Sequence, residues 1–496
     1  MPDDAPAEQA RAMTSGDLCF EDATELARRI RSKAISPVEV LDAFLARIEA
    51  LNPIINAFCL VAADSARAQA RRAEQALVDG STPGPLHGVP VAFKDLTPTA
   101  GIETSYGSWA FKGNVPDEDA VIVERTKRAG AIVIGKTMTS ELGHSACARN
   151  LVHGATVNPW NPERIPGGSS GGSAAAVLSA MTPVAEGTDG GGSVRIPASC
   201  CGVFGLKPQL GRIPMADRAN FTTLACHGPL TWTVRDAALL LSVWAGPDDR
   251  DPLSLPATAE DFRALDGDLE GTRIAYSPDL GLPVEAEVRD VVREAVATLV
   301  ELGAHVDEVD LRAGDGLVAD FHRLWVGLEA AQFGHLVPEH GSRMTRGVLE
   351  EIERGSTLAA VDYWRAEIAR SDFYDRVRRV LALNDFIVCP VMAVSPPSVH
   401  MFTDGPEEVE GAVVDRKTGW SLAFPFNMTS HPAASIPCGA TPDGLPVGMQ
   451  VIGRRFRELD VLRFAARFEE AAPWRERRPA WVRSPVPIAR SGEDRQ

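Results

Sequence analysis

The sequence predicts an α/β protein built around a largely parallel β-sheet. Predicted amphipathic helices alternate along the chain with short apolar strands, which is the pattern typical of α/β folds. The order helix, glycine, β-branched strand also occurs twice, at residues 119–134 and again at residues 286–310. In each unit the glycine, Gly130 or Gly303, stands where a helix is expected to end.

The N-terminal part of the chain is predicted to be helical. A first helix covers residues 37–51, because Ser36 can serve as its N-cap, Glu39 completes a capping box and apolar residues recur at helical spacing. The Asn-Pro pair that follows is expected to end this helix. A second helix, rich in Ala and Arg, is predicted at residues 63–79.

Short apolar runs supply the predicted strands, and one of them ends in a lysine. The run at residues 87–94 is expected to be a buried strand that ends at Lys94. Other strands are predicted at residues 131–134, 385–389, 434–437 and 446–452. A last amphipathic helix is predicted at residues 459–471.

Composition is that of a globular protein and limits the partners it can bind. The 496 residues are 45% hydrophobic and 24% charged, which allows a sizeable core. The formal net charge of −17 argues against nucleic acid or an anionic membrane as partner, because both are bound through concentrated positive charge. Only seven of the 50 basic residues are lysines, so a lysine on an apolar strand stands out.

The cysteines and the first residues indicate a reducing environment. Eight cysteines are scattered without a C-x-x-C pair, which favours reduced thiols over a disulfide framework or a zinc site. The start lacks the basic and apolar regions of a signal peptide, and no apolar run is long enough to span a bilayer. We therefore expect a soluble cytoplasmic protein.

One region, residues 167–193, departs from ordinary composition. It reads GGSSGGSAAAVLSAMTPVAEGTDGGGS, with two Gly/Ser clusters around a short helix and a strand. Repeated glycine lets backbone N–H groups approach an anion, but neither phosphate-binding glycine motif occurs here with the right flanks. The alternative is an oxyanion hole, in which Gly190, Gly191, Gly192 and Ser193 donate successive N–H groups beside a serine nucleophile.

Two kinds of base could activate such a serine. Residues 168–172 fit the G-x-S-x-G elbow of α/β-hydrolases, with Ser170 as nucleophile, but no downstream histidine has a distinctive context. Lys94 is the better candidate, because burial at the end of an apolar strand favours a neutral amine that can accept a proton. The structural alternative is a lysine that reaches solvent or pairs with Asp95.

Residues 167–198 resemble the signature of the amidase signature family of serine hydrolases. The similarity extends upstream to HGVPVAFKD at 87–95 and NPWNP at 158–162, and downstream to GVFGLKP at 202–208 and to segments near the C-terminus. It covers about residues 15–480. The resemblance implies a single large amidase-signature domain, in which a central twisted, mixed and largely parallel sheet is covered by helices on both faces.

This span sets the expected domain organisation. Residues 1–14 and 481–496 are predicted to be flexible. The domain between them is expected to hold an N-terminal helical segment at about 20–80 and a signature core at about 85–215. The Pro-, Asp- and Gly-rich stretch 246–271 could be an interdomain linker, but a surface excursion is favoured because similar elements continue on both sides.

The resemblance implies a Ser-cisSer-Lys triad without cofactor or metal. By motif position Ser193 would be the nucleophile, Ser169 the bridging serine after a cis peptide bond, and Lys94 the base. Lys94 would take a proton from Ser169, which takes one from Ser193 as it attacks the amide. The relay then runs backwards to protonate the leaving amine, and water cleaves the acyl-enzyme.

Supporting roles follow from the same motif. Thr188, Asp189 and Arg195 are expected to hold the glycine loop and the serines, and Ser170 to form hydrogen bonds near the triad. Gly190 stands where many family members carry a larger residue. This keeps its N–H donor in place but could loosen the loop.

The predicted function is hydrolysis of the C–N bond of a small-molecule amide. Three alternatives are an amidotransferase subunit of a tRNA-dependent complex, an esterase that uses Ser170, and an inactive scaffold. Relatives of the amidotransferase subunit usually carry glutamine in place of Ile196. The presence of all three triad residues counts against the inactive scaffold. A homodimer is left open, and the pocket walls are expected from variable segments at 140–152, 321–332 and 401–426.

Overall fold

The computed structural model describes residues 18–216, 222–401 and 405–483. In this part of the chain the α-helices, numbered α1 to α15 in chain order, are Ala23–Arg31, Pro37–Ile55, Ala63–Val78, Val121–Arg128, Gly171–Leu178, Arg195–Cys201, Val234–Trp244, Ala286–Glu301, Gly314–Phe333, Val337–His340, Arg346–Ser356, Ala360–Leu383, Pro425–Met428, Glu458–Ala471 and Ala480–Arg483. The strands, numbered β1 to β15, are Phe58–Val61, Pro90–Lys94, Ile132–Thr137, Arg149–Asn150, Gly154–Ala155, Val184–Asp189, Phe204–Lys207, Cys226–Thr231, Arg273–Tyr276, His305–Glu308, Phe386–Pro390, Glu408–Val409, Ala412–Val413, Ala433–Ala440 and Pro446–Gly453.

An eleven-stranded sheet forms the centre, in the order β1-β3-β2-β6-β8-β7-β14-β15-β11-β9-β10. Strand β2 is parallel to β3 and β6 near one end, and β9 is parallel to β10 and β11 at the other. From β6 to β11 the neighbours are antiparallel. The predicted α/β fold with a mixed sheet is confirmed. The expectation of a largely parallel sheet is wrong for the centre, because the β14–β15 hairpin and the β7–β8 pair occupy it.

Helices cover both faces of this sheet. On β15, a Cβ atom at Gly448 would point at Ser199 of α6, whereas one at Gly453 would point at Val461 of α14. The two glycines are an odd number of residues apart, so they face opposite sides of the strand. The same continuous core includes Phe262, from the irregular 246–271 segment, which agrees with a surface excursion of one domain.

The N-terminal helix α2 begins as predicted but extends further. Ser36 and Glu39 form the expected capping box. The helix continues through Pro53 to Ile55, because Ile55 is fully buried in the core and Asn56 caps the end in a left-handed conformation with φ of 53°. The prediction that the Asn-Pro pair ends this helix is therefore wrong by one turn.

The two helix–glycine–strand units are present as predicted. Gly130 follows α4 with φ of 88°, and Gly303 follows α8 with φ of 90°, a left-handed region that favours glycine.

At the C-terminal end, α15 is the last described element and its Val482 is buried. The rest of the predicted flexible ends, residues 1–14 and 484–496, lies outside the described residues. None of the described helices has the length and apolar character needed to cross a membrane.

Candidate active site

The predicted site residues converge at the ends of two neighbouring strands. Strand β2 ends at Lys94 and β6 ends at Asp189. Because these strands are parallel and adjacent, both ends lie at the same edge of the sheet. The glycine loop 190–194 leads from β6 into α6, and the turn that holds Ser169 leads into α5, which packs on β2 and β6.

Lys94 is fully buried and hydrogen-bonded to two hydroxyls. Its Nζ donates to Ser169 Oγ at 2.6 Å and to Thr188 Oγ1 at 2.8 Å. Burial lowers the pKa of Lys94 to about 7, although the negative charges of Glu186 and Asp189 oppose this shift. A large fraction of Lys94 is therefore a neutral amine near neutral pH, in contact with a serine hydroxyl.

The two other predicted triad residues line one cavity. Ser169 follows a cis peptide bond from Gly168, as the resemblance implies. Its side chain is almost fully buried, whereas Ser193 is half-buried. Both serines line the same cavity of about 340 Å³. A substrate in this cavity can therefore reach Ser193, while Ser169 lies between the cavity and Lys94.

Ser170, the serine of the elbow-like motif, is fully buried. Its Oγ donates to the carbonyl oxygen of Thr188 and accepts from the N–H of the same residue, both at 3.3 Å. The N–H of Ser170 donates to the carbonyl oxygen of Ser193 at 3.2 Å. These bonds tie α5 to β6 and to the glycine loop, and they direct the Ser170 hydroxyl to backbone groups.

A buried ion pair anchors the glycine loop. Arg195 Nη2 and Nε donate to Asp189 at 2.9 and 3.0 Å, and both side chains are fully buried. Burial alone would raise the pKa of Asp189, but the charge and hydrogen bonds of Arg195 and the hydrogen bond from Asn427 hold it well below its usual range. Asp189 also accepts from the N–H groups of Gly192, at 2.8 Å, and Val194, at 3.2 Å.

Aromatic side chains of α9 fill the space that the glycines leave. A Cβ atom at Gly190 would lie 2.8 Å from the ring of Trp325, and one at Gly191 would lie 2.8 Å from the ring of Phe321. Gly192 has φ of 116°, a conformation that favours glycine. The gap at Gly190, which the sequence suggested could loosen the loop, is therefore occupied by Trp325.

Three polar residues support the site but were not among the predicted site residues. Asn427 accepts from Arg195 Nη2 at 2.6 Å and donates to Asp189 Oδ1 at 2.8 Å. Glu186 accepts from the N–H of Lys94 at 3.0 Å and interacts with His227 Nδ1 at 2.8 Å. Glu186 lies within the signature, and Asn427 lies within one of the segments near the C-terminus, PFNMT at 425–429, that also resemble the family. These motifs therefore contained the signal for both residues.

The cavity walls come only partly from the segments that the sequence suggested. Trp325, in the predicted 321–332 segment, lines the cavity, whereas three aromatic residues of the predicted 401–426 segment are fully buried core residues, namely Trp420, Phe424 and Phe426. Other walls come from residues 96–111 and 210–225. Their apolar members include Leu96, Pro98, Phe111, Leu210, Ile213 and Leu224.

Within the described residues, one group of side chains has the composition of a metal site. The ligand atoms of Cys59, Asp95 and His153 lie within 4.8 Å of one another. Asp95 already accepts from the N–H and Oγ of Ser105. Through Asp95 this group stabilises the loop after β2. None of the three triad candidates belongs to the group.

Comparison with known proteins identifies the family. The family model described as Amidase matches residues 39–462. The chain is 38% identical to an acylamidase of Rhodococcus erythropolis over 473 residues, which covers 94% of this chain and 99% of that protein. It is 33% identical to a glutamyl-tRNA(Gln) amidotransferase subunit of Chloroflexus aurantiacus over 474 residues, or 90% of this chain and 96% of that protein.

A solved structure shares both the fold and much of the sequence. The crystal structure of a bacterial aryl acylamidase of the amidase signature enzymes superposes with a TM-score of 0.87 at 32% identity, and covers 92% of this chain and 97% of that chain. The chain therefore belongs to the amidase family, the amidase signature enzymes, and is an amide hydrolase.

Proposed function

We propose that this amide hydrolase cleaves small-molecule carboxamides through an acyl-enzyme at Ser193, with Ser169 and Lys94 as the proton relay. The observation that carries the proposal is the 2.6 Å hydrogen bond between Lys94 Nζ and Ser169 Oγ. Ser169 and Ser193 line one cavity, and burial holds the pKa of Lys94 at about 7. A base of this pKa can accept a proton near neutral pH and return it.

The relay accounts for both halves of the reaction. As Ser193 Oγ bonds to the amide carbon, its proton passes to Ser169 and the Ser169 proton passes to Lys94. When the C–N bond breaks, the relay returns a proton to the leaving nitrogen, which departs as an amine. Water then attacks the acyl carbon and gives one proton to the relay. When the C–O bond to Ser193 breaks, the relay returns that proton to Ser193 Oγ, and the carboxylic acid leaves.

Backbone N–H groups of the glycine loop would stabilise the negative oxygen of the tetrahedral intermediate. The sequence suggested four donors, but the N–H of Gly192 is bonded to Asp189 at 2.8 Å. The proposed oxyanion hole therefore consists of the N–H groups of Gly190, Gly191 and Ser193. The Asp189–Arg195 pair positions these donors, because Asp189 accepts hydrogen bonds from the loop N–H groups of Gly192 and Val194.

The cavity supports an apolar or aromatic substrate group. Its walls are mainly apolar, and Trp325 and Phe111 are among them. Two similar proteins are named for acylamidase and aryl acylamidase activity. The acylamidase shares more identity with this chain than the amidotransferase subunit does, which favours a free-standing amidase over the amidotransferase alternative.

Covalent labelling tests the nucleophile. We expect a fluorophosphonate probe to label the wild-type protein and Ser170→Ala, and not to label Ser193→Ala, because Ser193 is half-buried at the cavity wall, whereas the Ser170 hydroxyl is bonded to the backbone of Thr188. Intact-protein mass spectrometry measures the adduct, and hydrolysis of acetanilides and benzamides is followed by amine or ammonia release. Labelling that persists in Ser193→Ala and disappears in Ser170→Ala would move the nucleophile to the elbow serine.

A further inference from the structure

A residue with an unpartnered carboxyl oxygen lines the substrate cavity. Glu329 lies on α9, four residues after Trp325, and lines the cavity that contains Ser193. The residue is only 3% exposed, and its Oε2 atom has no hydrogen-bond partner among the described residues. Buried carboxyl groups in proteins are normally hydrogen-bonded or paired, so this group lacks a partner that a bound molecule could supply.

The surrounding charges do not satisfy Glu329. On the neighbouring helix α11, Glu351 accepts a 2.7 Å ion-pair hydrogen bond from Lys417 Nζ. Burial raises the pKa of Glu329 well above its usual value, the charge of Glu351 raises it further, and Lys417 only partly offsets these effects. Without a positive partner the neutral form of Glu329 is therefore favoured, and the nearby lysine is bonded to the other carboxylate.

The cavity as a whole favours a positive group. Among its described lining residues the charged types are Glu329 and Asp251, both acidic. Asp251 already accepts from the N–H groups of Met215, at 2.9 Å, and Leu253, at 2.8 Å. Glu329 is thus the acidic group in this wall that remains available to a ligand.

We propose that Glu329 is a substrate-binding residue that pairs with an amino group on the substrate, so that the preferred substrates are amides that carry a basic amine beyond an apolar spacer. This inference rests on the proposed function, because it places the scissile amide at Ser193. The ring of Trp325 lies against Gly190 of the glycine loop. Glu329 lies one turn further along α9, which is a distance of about 6 Å along the helix axis at about 1.5 Å per residue. A para-substituted phenyl ring separates its two substituents by a similar length.

Pairing requires only the transfer of one proton. An amine that enters as the free base takes the proton of the Glu329 carboxyl group, which forms a carboxylate and an ammonium group with no change in total charge. The resulting pair is shielded from water by the apolar walls, where a charge-assisted hydrogen bond is strong. An alkyl group in the same place would leave the buried carboxyl without a partner.

Matched substrates test the pairing. 4-(Aminomethyl)acetanilide is compared with 4-ethylacetanilide, and 4-(aminomethyl)benzamide with 4-ethylbenzamide, so that both orientations of the amide are covered. We expect the wild-type protein to favour the amine of each turned-over pair by about 10- to 100-fold in KM. Glu329→Leu should remove this preference, because KM rises for the amine, which loses its partner, and falls for the ethyl compound, which no longer lies against an unpartnered carboxyl group.

Controls separate the inference from the proposed function. Glu329→Gln keeps the shape of the side chain and should lose most of the preference, while Glu353→Gln, on an exposed face of α11, should keep it. Protection of Ser193 from fluorophosphonate labelling by each compound reports binding even when turnover is slow. Equal binding of the amine and ethyl compounds by the wild-type protein would overturn this inference, and so would equal losses of affinity for both compounds in Glu329→Leu. In either case, labelling of Ser193 would leave the proposed function intact.

Discussion

Lys94 and Lys136 lie on adjacent parallel strands, and the comparison separates burial from reactivity. Both side chains are fully buried, and burial lowers the pKa of both. Lys94 donates to the hydroxyls of Ser169 and Thr188. Lys136 instead donates to the carbonyl oxygen of Thr97 and to the hydroxyl of Thr99 at 3.1 Å.

The partners decide what each lysine can do. The hydroxyls of Ser169 and Thr99 can each give a proton to a neutral amine, whereas the carbonyl oxygen of Thr97 has no proton to give. Ser169 also reaches the cavity, while Thr97 and Thr99 are buried away from solvent. A depressed pKa makes a lysine able to act as a base, but the proposed role also requires contact with a proton donor that lines the cavity.

Removal of each amine should produce the largest contrast between the two positions. We expect Lys94→Met to lower kcat/KM by about 10⁴-fold or more, because loss of one member of a catalytic unit removes most of its effect. The change is measured by steady-state amide hydrolysis, with circular dichroism to show that the protein is folded. Near-wild-type activity in this variant would end the relay proposal.

The pH dependence should show the ionisation of Lys94. Because the base must be neutral and its pKa is about 7, we expect kcat/KM to fall about tenfold per pH unit below pH 7 and to level off above it. The profile is recorded with a neutral acetanilide, so that only the enzyme titrates. Lys136→Met should keep the same profile, and a midpoint that moves in that variant would show that Lys136 contributes to the pKa of the catalytic base.

Several fold elements were predictable because their signals are local. The capping box at Ser36 and the left-handed glycines at 130 and 303 act within one turn of chain, and the helices and strands beside them appear where expected. The antiparallel centre of the sheet was not predictable, because strand order depends on contacts between segments far apart in sequence. The extension of α2 past Pro53 was not predictable for the same reason, because it depends on the burial of Ile55 against distant parts of the chain.

The site divides in a similar way. The motif places Lys94, Ser169 and Ser193 together, and the structure brings Lys94 and Ser169 into contact and both serines to one cavity. The lysine content did not identify the base by itself, because Lys136 and Lys207 also lie buried on apolar strands. Glu329 carries no motif, and its position depends on how α9 packs over the glycine loop.

The smallest effect on activity is expected at Lys136. Lys136→Met leaves the buried carbonyl oxygen of Thr97 and hydroxyl of Thr99 without their donor, and it removes a charge that lowers the pKa of Asp95, so the free energy of unfolding should fall by about 3 kcal/mol. Urea denaturation measures this loss. The kcat/KM of the folded protein should fall by less than about tenfold, because Lys136 contacts neither serine. An activity loss as large as that of Lys94→Met would mean that burial of charge at this sheet edge, rather than contact with Ser169, sustains catalysis.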